Sequence, residues 1–142
     1  MAADSVLASV HIFSGLGPEA LAGLEAFTFR RKFKPGELIV EEGRTGNGLY
    51  VVLSGEVEVI KGLDGARPQK VATLGAGEPF GEMALLGEWP RSASVRAIGD
   101  VECLGMDRWV FLAHLDREPG IAKKMLQVMA QRLAETAERL AE

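Results

Sequence analysis

Residues 80 to 97 read Phe80-Gly81-Glu82-Met83-Ala84-Leu85-Leu86-Gly87-Glu88-Trp89-Pro90-Arg91-Ser92-Ala93-Ser94-Val95-Arg96-Ala97. A glycine and a carboxylate lead into a short apolar turn of helical character, Gly87-Glu88-Trp89-Pro90 breaks it, and Arg91 opens a strand. If the turn folds back toward that strand, the pieces meet in one small pocket. Gly81 lets the backbone come close to a ligand, and the unpaired amides at Glu82 to Leu85 would face an anion. Arg91 can then hold a phosphate through charge-assisted hydrogen bonds, each worth about 1.5–3 kcal/mol net. Ionised Glu82 only accepts hydrogen bonds, so a sugar hydroxyl suits it as donor. Phosphate and ribose on one ligand describe a nucleotide. The competing reading makes Glu82 and Arg91 a structural ion pair that fastens the turn to the fold.

Outward from this stretch the chain is rich in turns. Thirteen of the seventeen glycines lie between Gly36 and Gly105. Between them run short segments of β-branched or alternating character, predicting strands over 28–33, 37–40, 49–53, 56–61, 70–74, 93–98 and 101–106. Many short strands at close spacing suggest a barrel or sandwich. Asn47-Gly48 and Asp64-Gly65 tolerate positive φ and predict tight antiparallel connections, against a parallel nucleotide-binding sheet. The flanks are helical in pattern. Leu21, Leu24 and Phe27 recur behind Pro18 at helical spacing, and a further short helix is expected near Asp4 to Val10. Asp107 can cap a helix to about Leu115, and Pro119 can open a long one reaching the C-terminus. On that last helix Ile121, Met125 and Val128 form one apolar line, and Leu126, Met129, Leu133, Thr136 and Leu140 form another.

Composition limits the functional classes. With 142 residues, 47% apolar and 25% charged, the chain has the make-up of one globular domain. A net charge of −4 argues against bulk nucleic-acid binding, so an anion must be held by a local positive site. A single cysteine, Cys103, excludes an internal disulfide and reads as a buried structural thiol. The start Met1-Ala2-Ala3-Asp4 lacks the basic region of a secretory signal and no apolar run approaches a membrane span, which predicts a cytoplasmic address. Gly75-x-Gly77-x-x-x-Gly81 has the wrong spacing for a dinucleotide fingerprint, and no Gly-Lys-Ser/Thr occurs. His11 and His114, the only histidines, stand on opposite flanks, so a cupin-like metalloenzyme is not expected. No activated nucleophile or opposed carboxylate pair is evident, and no enzyme activity is expected.

The run Phe80 to Leu86, followed by Pro90-Arg91-Ser92-Ala93 and Val95-Arg96-Ala97, resembles the phosphate-binding cassette of cyclic nucleotide-binding domains. These occur in protein kinase regulatory subunits, cyclic nucleotide-gated channels and the catabolite-activator family. Phe13-Ser14-Gly15-Leu16, Phe33-Lys34-Pro35-Gly36-Glu37, Glu42-Gly43 and Leu49 to Val57 extend the likeness over most of the chain. The resemblance implies a mainly β fold, an eight-stranded antiparallel jelly-roll (double-stranded β-helix) barrel with short N-terminal helices and two C-terminal helices. It divides a single domain, 1–142, into N-terminal helices (1–27), barrel (28–106, cassette 80–97) and hinge and lid helices (107–142). It implies that Arg91 pairs with the exocyclic phosphate oxygens and Glu82 with the ribose 2′-hydroxyl. Backbone groups of Gly81, Met83, Ala84 and Ala93 complete the cassette, and Ser92 offers a hydroxyl to phosphate or base. Met129, Arg132 and Leu133, with Leu126 and Gln131, fall at lid positions. Arg96, five residues beyond Arg91, reads as a solvated or partner-facing charge.

These readings describe a sensor or regulatory subunit that binds cyclic AMP in preference to cyclic GMP, without cofactor or metal. Its relatives carry a DNA-binding, kinase-inhibiting or channel segment. None is encoded before Glu142, so output is expected to pass through an unidentified effector protein or a homodimer formed by the C-terminal helix, with no DNA or membrane partner. The rival expectation is a nucleotide-free interaction scaffold of the same fold.

Overall fold

The computed structural model describes residues 5–141. Asp4, the expected start of the first helix, lies outside them, and the chain enters through 3₁₀ helices at Val6–Ser9 and His11–Phe13. Helix α1 (Pro18–Glu25) follows, then eight strands: β1 (Phe29–Phe33), β2 (Leu38–Val40), β3 (Gly48–Ser54), β4 (Val57–Lys61), β5 (Gln69–Leu74), β6 (Pro79–Phe80), β7 (Ser94–Ala97) and β8 (Val101–Asp107). A 3₁₀ helix, Glu82–Leu85, separates β6 from β7, and helices α2 (Arg108–Arg117) and α3 (Pro119–Ala141) close the described chain. Seven strands fall where sequence patterning puts them; β6, with two residues, is too short to carry a pattern.

All pairings are antiparallel, in two four-stranded sheets ordered β1-β8-β3-β6 and β2-β7-β4-β5. The strands thus form the jelly roll as two facing sheets, with no ladder joining their edges among the described residues. Asp64-Gly65 lies in an antiparallel β4–β5 hairpin as expected, but the connection is not a tight one: it runs over 62–68, and its positive-φ residue is Gly62. Asn47-Gly48 closes no hairpin, because β2 and β3 belong to different sheets. Gly48 is needed there for another reason: a Cβ would run into the Met106 carbonyl of the adjoining strand.

The first sheet has a core on each side. Val52, Val101 and Cys103 turn inward with Phe33, Val57, Phe80, Val95 and Ala97 between the sheets. Leu49, Val51, Leu104 and Met106 turn outward and pack on Leu7, Phe13, Leu24 and Phe111 of the helical layer. Burial on both faces is why β3 reads as an unbroken apolar run from Leu49 to Leu53 and why β8 is buried continuously from Cys103 to Met106. In β4, Val57 and Ile60 are both buried, and the ladder to β5 shifts register between Val59 and Ile60, with Val71 of β5 as the extra residue.

The Asp107 carboxylate caps α2, accepting from the amides of Trp109 at 2.8 Å and Val110 at 3.3 Å. Along α3 the line Ile121, Met125 and Val128 packs inward, with the first two fully buried. The other line is unequal: Met129 packs against the helical core, while Leu126, Leu133 and Leu140 stay exposed.

Candidate functional site

The short β6 delivers Phe80 into the inter-sheet core, where it stacks on Tyr50 with centroids 5.4 Å apart. The next residue, Gly81, takes the left-handed conformation (φ 76) and throws the chain into the Glu82–Leu85 turn. Leu85 and Ala84 anchor that turn by burial, leaving Glu82 and Met83 on the open side. The chain returns through an isolated antiparallel bridge between Pro90 and Thr45, and Arg91 is fixed by backbone hydrogen bonds to Arg44 and Gly43, each 2.8 Å. The fold-back expected from the sequence therefore forms, and it encloses a cleft of about 380 Å³. Gly81, Glu82, Met83, Ala84, Trp89, Pro90, Arg91 and Ser92 line it.

Glu82 and Arg91 do not form an ion pair with each other. The Arg91 guanidinium donates instead to the carbonyls of Gly48 (2.8 Å) and Gly81 (3.3 Å). It lies flat against the backbone, so a Cβ at Gly46 or Gly81 would collide with it. Burial pulls its pKa below the ordinary arginine value, with nearby Tyr50 opposing. Only part of its donor set is used by these carbonyls, and a phosphate is the acceptor that would satisfy the rest. Glu82 Oε1 faces Arg132 Nη1 of α3 at 3.6 Å, while Oε2 is buried without a hydrogen-bond partner among the described residues. A buried carboxylate oxygen with no donor is costly, and a ligand hydroxyl is the chemistry that relieves it.

The other expected site residues divide. Met83 and Ser92 are exposed on the cleft and Ala84 forms part of its floor. Ala93 is not among the lining residues. Of the lid set, Arg132 reaches the cleft through Glu82, Met129 is held in the helical core, and Leu133 is exposed. Arg96 is not a free charge: its Nε and Nη2 both donate to Glu58 Oε1, at 2.9 and 2.7 Å, across β7 and β4. A second cleft, about 440 Å³, opens on the other side of Arg91 between Phe29, Leu38, Val40, Tyr50 and Met106. It contains neither Glu82 nor the turn.

Two residues escaped the sequence reading. Arg108, 3% exposed at the first position of α2, donates from Nη1 to the carbonyls of Gly46 (3.0 Å), Ala84 (3.3 Å) and Gly87 (2.8 Å). It fastens the helix to the Glu82–Leu85 turn and Gly87 just after it, and to the loop at Gly46 that bears on Arg91. A cation in the first turn of a helix opposes the macrodipole, and that misplaced charge was the available signal. Trp89 lines the cleft with its ring laid on Gly87, where a Cβ would come within 2.5–3.1 Å of it.

Comparison with known proteins places this geometry. The profile of the cyclic nucleotide-binding domain matches residues 30–118. The chain is 39% identical over 124 residues to the cyclic AMP receptor protein of Thermus thermophilus, covering 87% of this chain and 57% of the relative. It is 31% identical over 139 residues to a CRP-like cAMP-activated global transcriptional regulator of Mycobacterium tuberculosis, covering 98% of this chain and 62% of that protein. It thus spans about three-fifths of the length of these relatives. Among solved structures, the N-terminal domain of a transcriptional regulator from Streptomyces coelicolor A3(2) superimposes with a TM-score of 0.87 at 30% identity, covering 96% of this chain and 95% of the other.

Proposed function

This chain belongs to the cyclic nucleotide-binding domain family, and we propose that it binds cyclic AMP in the 380 Å³ cleft and reports occupancy through its C-terminal helices. The single observation that carries the reading is the pairing, within that cleft, of a half-buried guanidinium with the partnerless buried oxygen of Glu82. Arg91 takes the cyclic phosphate and Glu82 Oε2 accepts from the ribose 2′-hydroxyl. Gly81 keeps the backbone close enough for the first amides of the turn, which have no intrahelical acceptor, to assist. Cyclic AMP is preferred over cyclic GMP because the two relatives above are named for it. A ligand of about 22 non-hydrogen atoms at roughly 0.3 kcal/mol each binds near the micromolar range, as a reversible signal reader requires.

Output rests on the contact between Arg132 and Glu82. A ligand that engages Glu82 changes what Arg132 faces, and α3 responds only to the extent that the two arrangements bind nucleotide differently. Partners then read α3, whether a second copy of the chain or an effector protein. The role is binding and not catalysis. Thermal denaturation across a panel of cyclic mononucleotides and dinucleotides tests this. At a concentration one hundred times its Kd, cyclic AMP adds about 2.7 kcal/mol and raises Tm by roughly 10 °C, and Glu82→Ala diminishes the shift. No shift with any nucleotide would favour the scaffold reading.

A further inference from the structure

We infer that Trp89, with Met83, is the apolar wall of the cleft and supports the fused sugar–phosphate rings of the ligand, an inference that rests on the nucleotide reading above. Both side chains line the cleft, yet they are among the most exposed large apolar groups of the described chain, at 51% for Trp89 and 53% for Met83. The indole is laid on Gly87, whose missing side chain leaves room for it, so it is held in place before any ligand arrives.

Position then decides what the indole can touch. Trp89 and Arg91 flank the bridge residue Pro90 on either side in the chain, and both line the cleft. Met83 follows Glu82 directly and lines the same cleft. With phosphate at Arg91 and the 2′-hydroxyl at Glu82, the part of the ligand within reach of Trp89 is the bicyclic sugar–phosphate, whose C–H faces are apolar. The purine extends beyond that reach. The wall therefore adds affinity without discriminating between bases.

Calorimetric titration of cyclic AMP and cyclic GMP into the native chain, Trp89→Ala, Trp89→Phe and Arg91→Ala tests this. Trp89→Ala is expected to weaken both nucleotides by a similar factor, about tenfold, and Trp89→Phe to restore most of it. A structural role would not move a second readout. In Trp109→Phe, Trp89 is the one remaining tryptophan, and saturating cyclic AMP should shield it from acrylamide quenching. Native affinity in Trp89→Ala, or unchanged quenching, would overturn the wall; if Arg91→Ala still abolished binding, the nucleotide reading would stand. A native chain that binds neither nucleotide would remove both.

Discussion

At the scale of single residues, the groups proposed to hold a ligand are distinct from those that hold the fold. Arg91→Ala removes the proposed phosphate partner and is expected to weaken cyclic AMP binding by about 100-fold, with a smaller effect on Tm, because the freed Gly48 and Gly81 carbonyls belong to residues that line the two clefts. Gly81→Ala does the reverse kind of damage: the left-handed backbone (φ 76) costs about 1–2 kcal/mol for any side chain, and the added methyl displaces the guanidinium, so a denaturation curve and a titration both register it. That Glu82 and Arg91 line one cleft was legible because both sit in one local motif. Arg108 was not, because its role is set by carbonyls 21 to 62 positions away that only the fold brings together.

Whole elements show the same division. Helix α2 was readable from its first turn, since a capping carboxylate at Asp107 acts on the next three residues; Asp107→Ala should cost about 1 kcal/mol in urea denaturation. Strand β6 and the fate of Asn47-Gly48 were not readable, because pairing between distant strands decides both. On β8, burial pushes the Cys103 thiol up to about 11 from an ordinary 9.0. Between those values the folded state holds more protons than the unfolded one, so stability is flat below about pH 9 and falls as pH rises toward 11. Denaturant midpoints across that range, with the thiol inert to Ellman's reagent in the native state at neutral pH, are the expected results.

For the molecule as a whole, two cores lie on either side of one sheet, and α3, packed on one of them, leaves Leu126, Leu133 and Leu140 exposed at heptad spacing. A seam between two copies would cover that stripe. Sedimentation should then give twice 15.2 kDa, and Leu133→Glu should return the single-chain mass. The central claim, that a nucleotide enters the cassette, is tested most directly by isothermal titration of cyclic AMP into the native chain beside Arg91→Ala. One saturable site per chain at micromolar affinity is expected, and the substitution should all but eliminate it. Binding of equal strength in both proteins would contradict it, as would heat-free titrations of the native chain at every temperature tried.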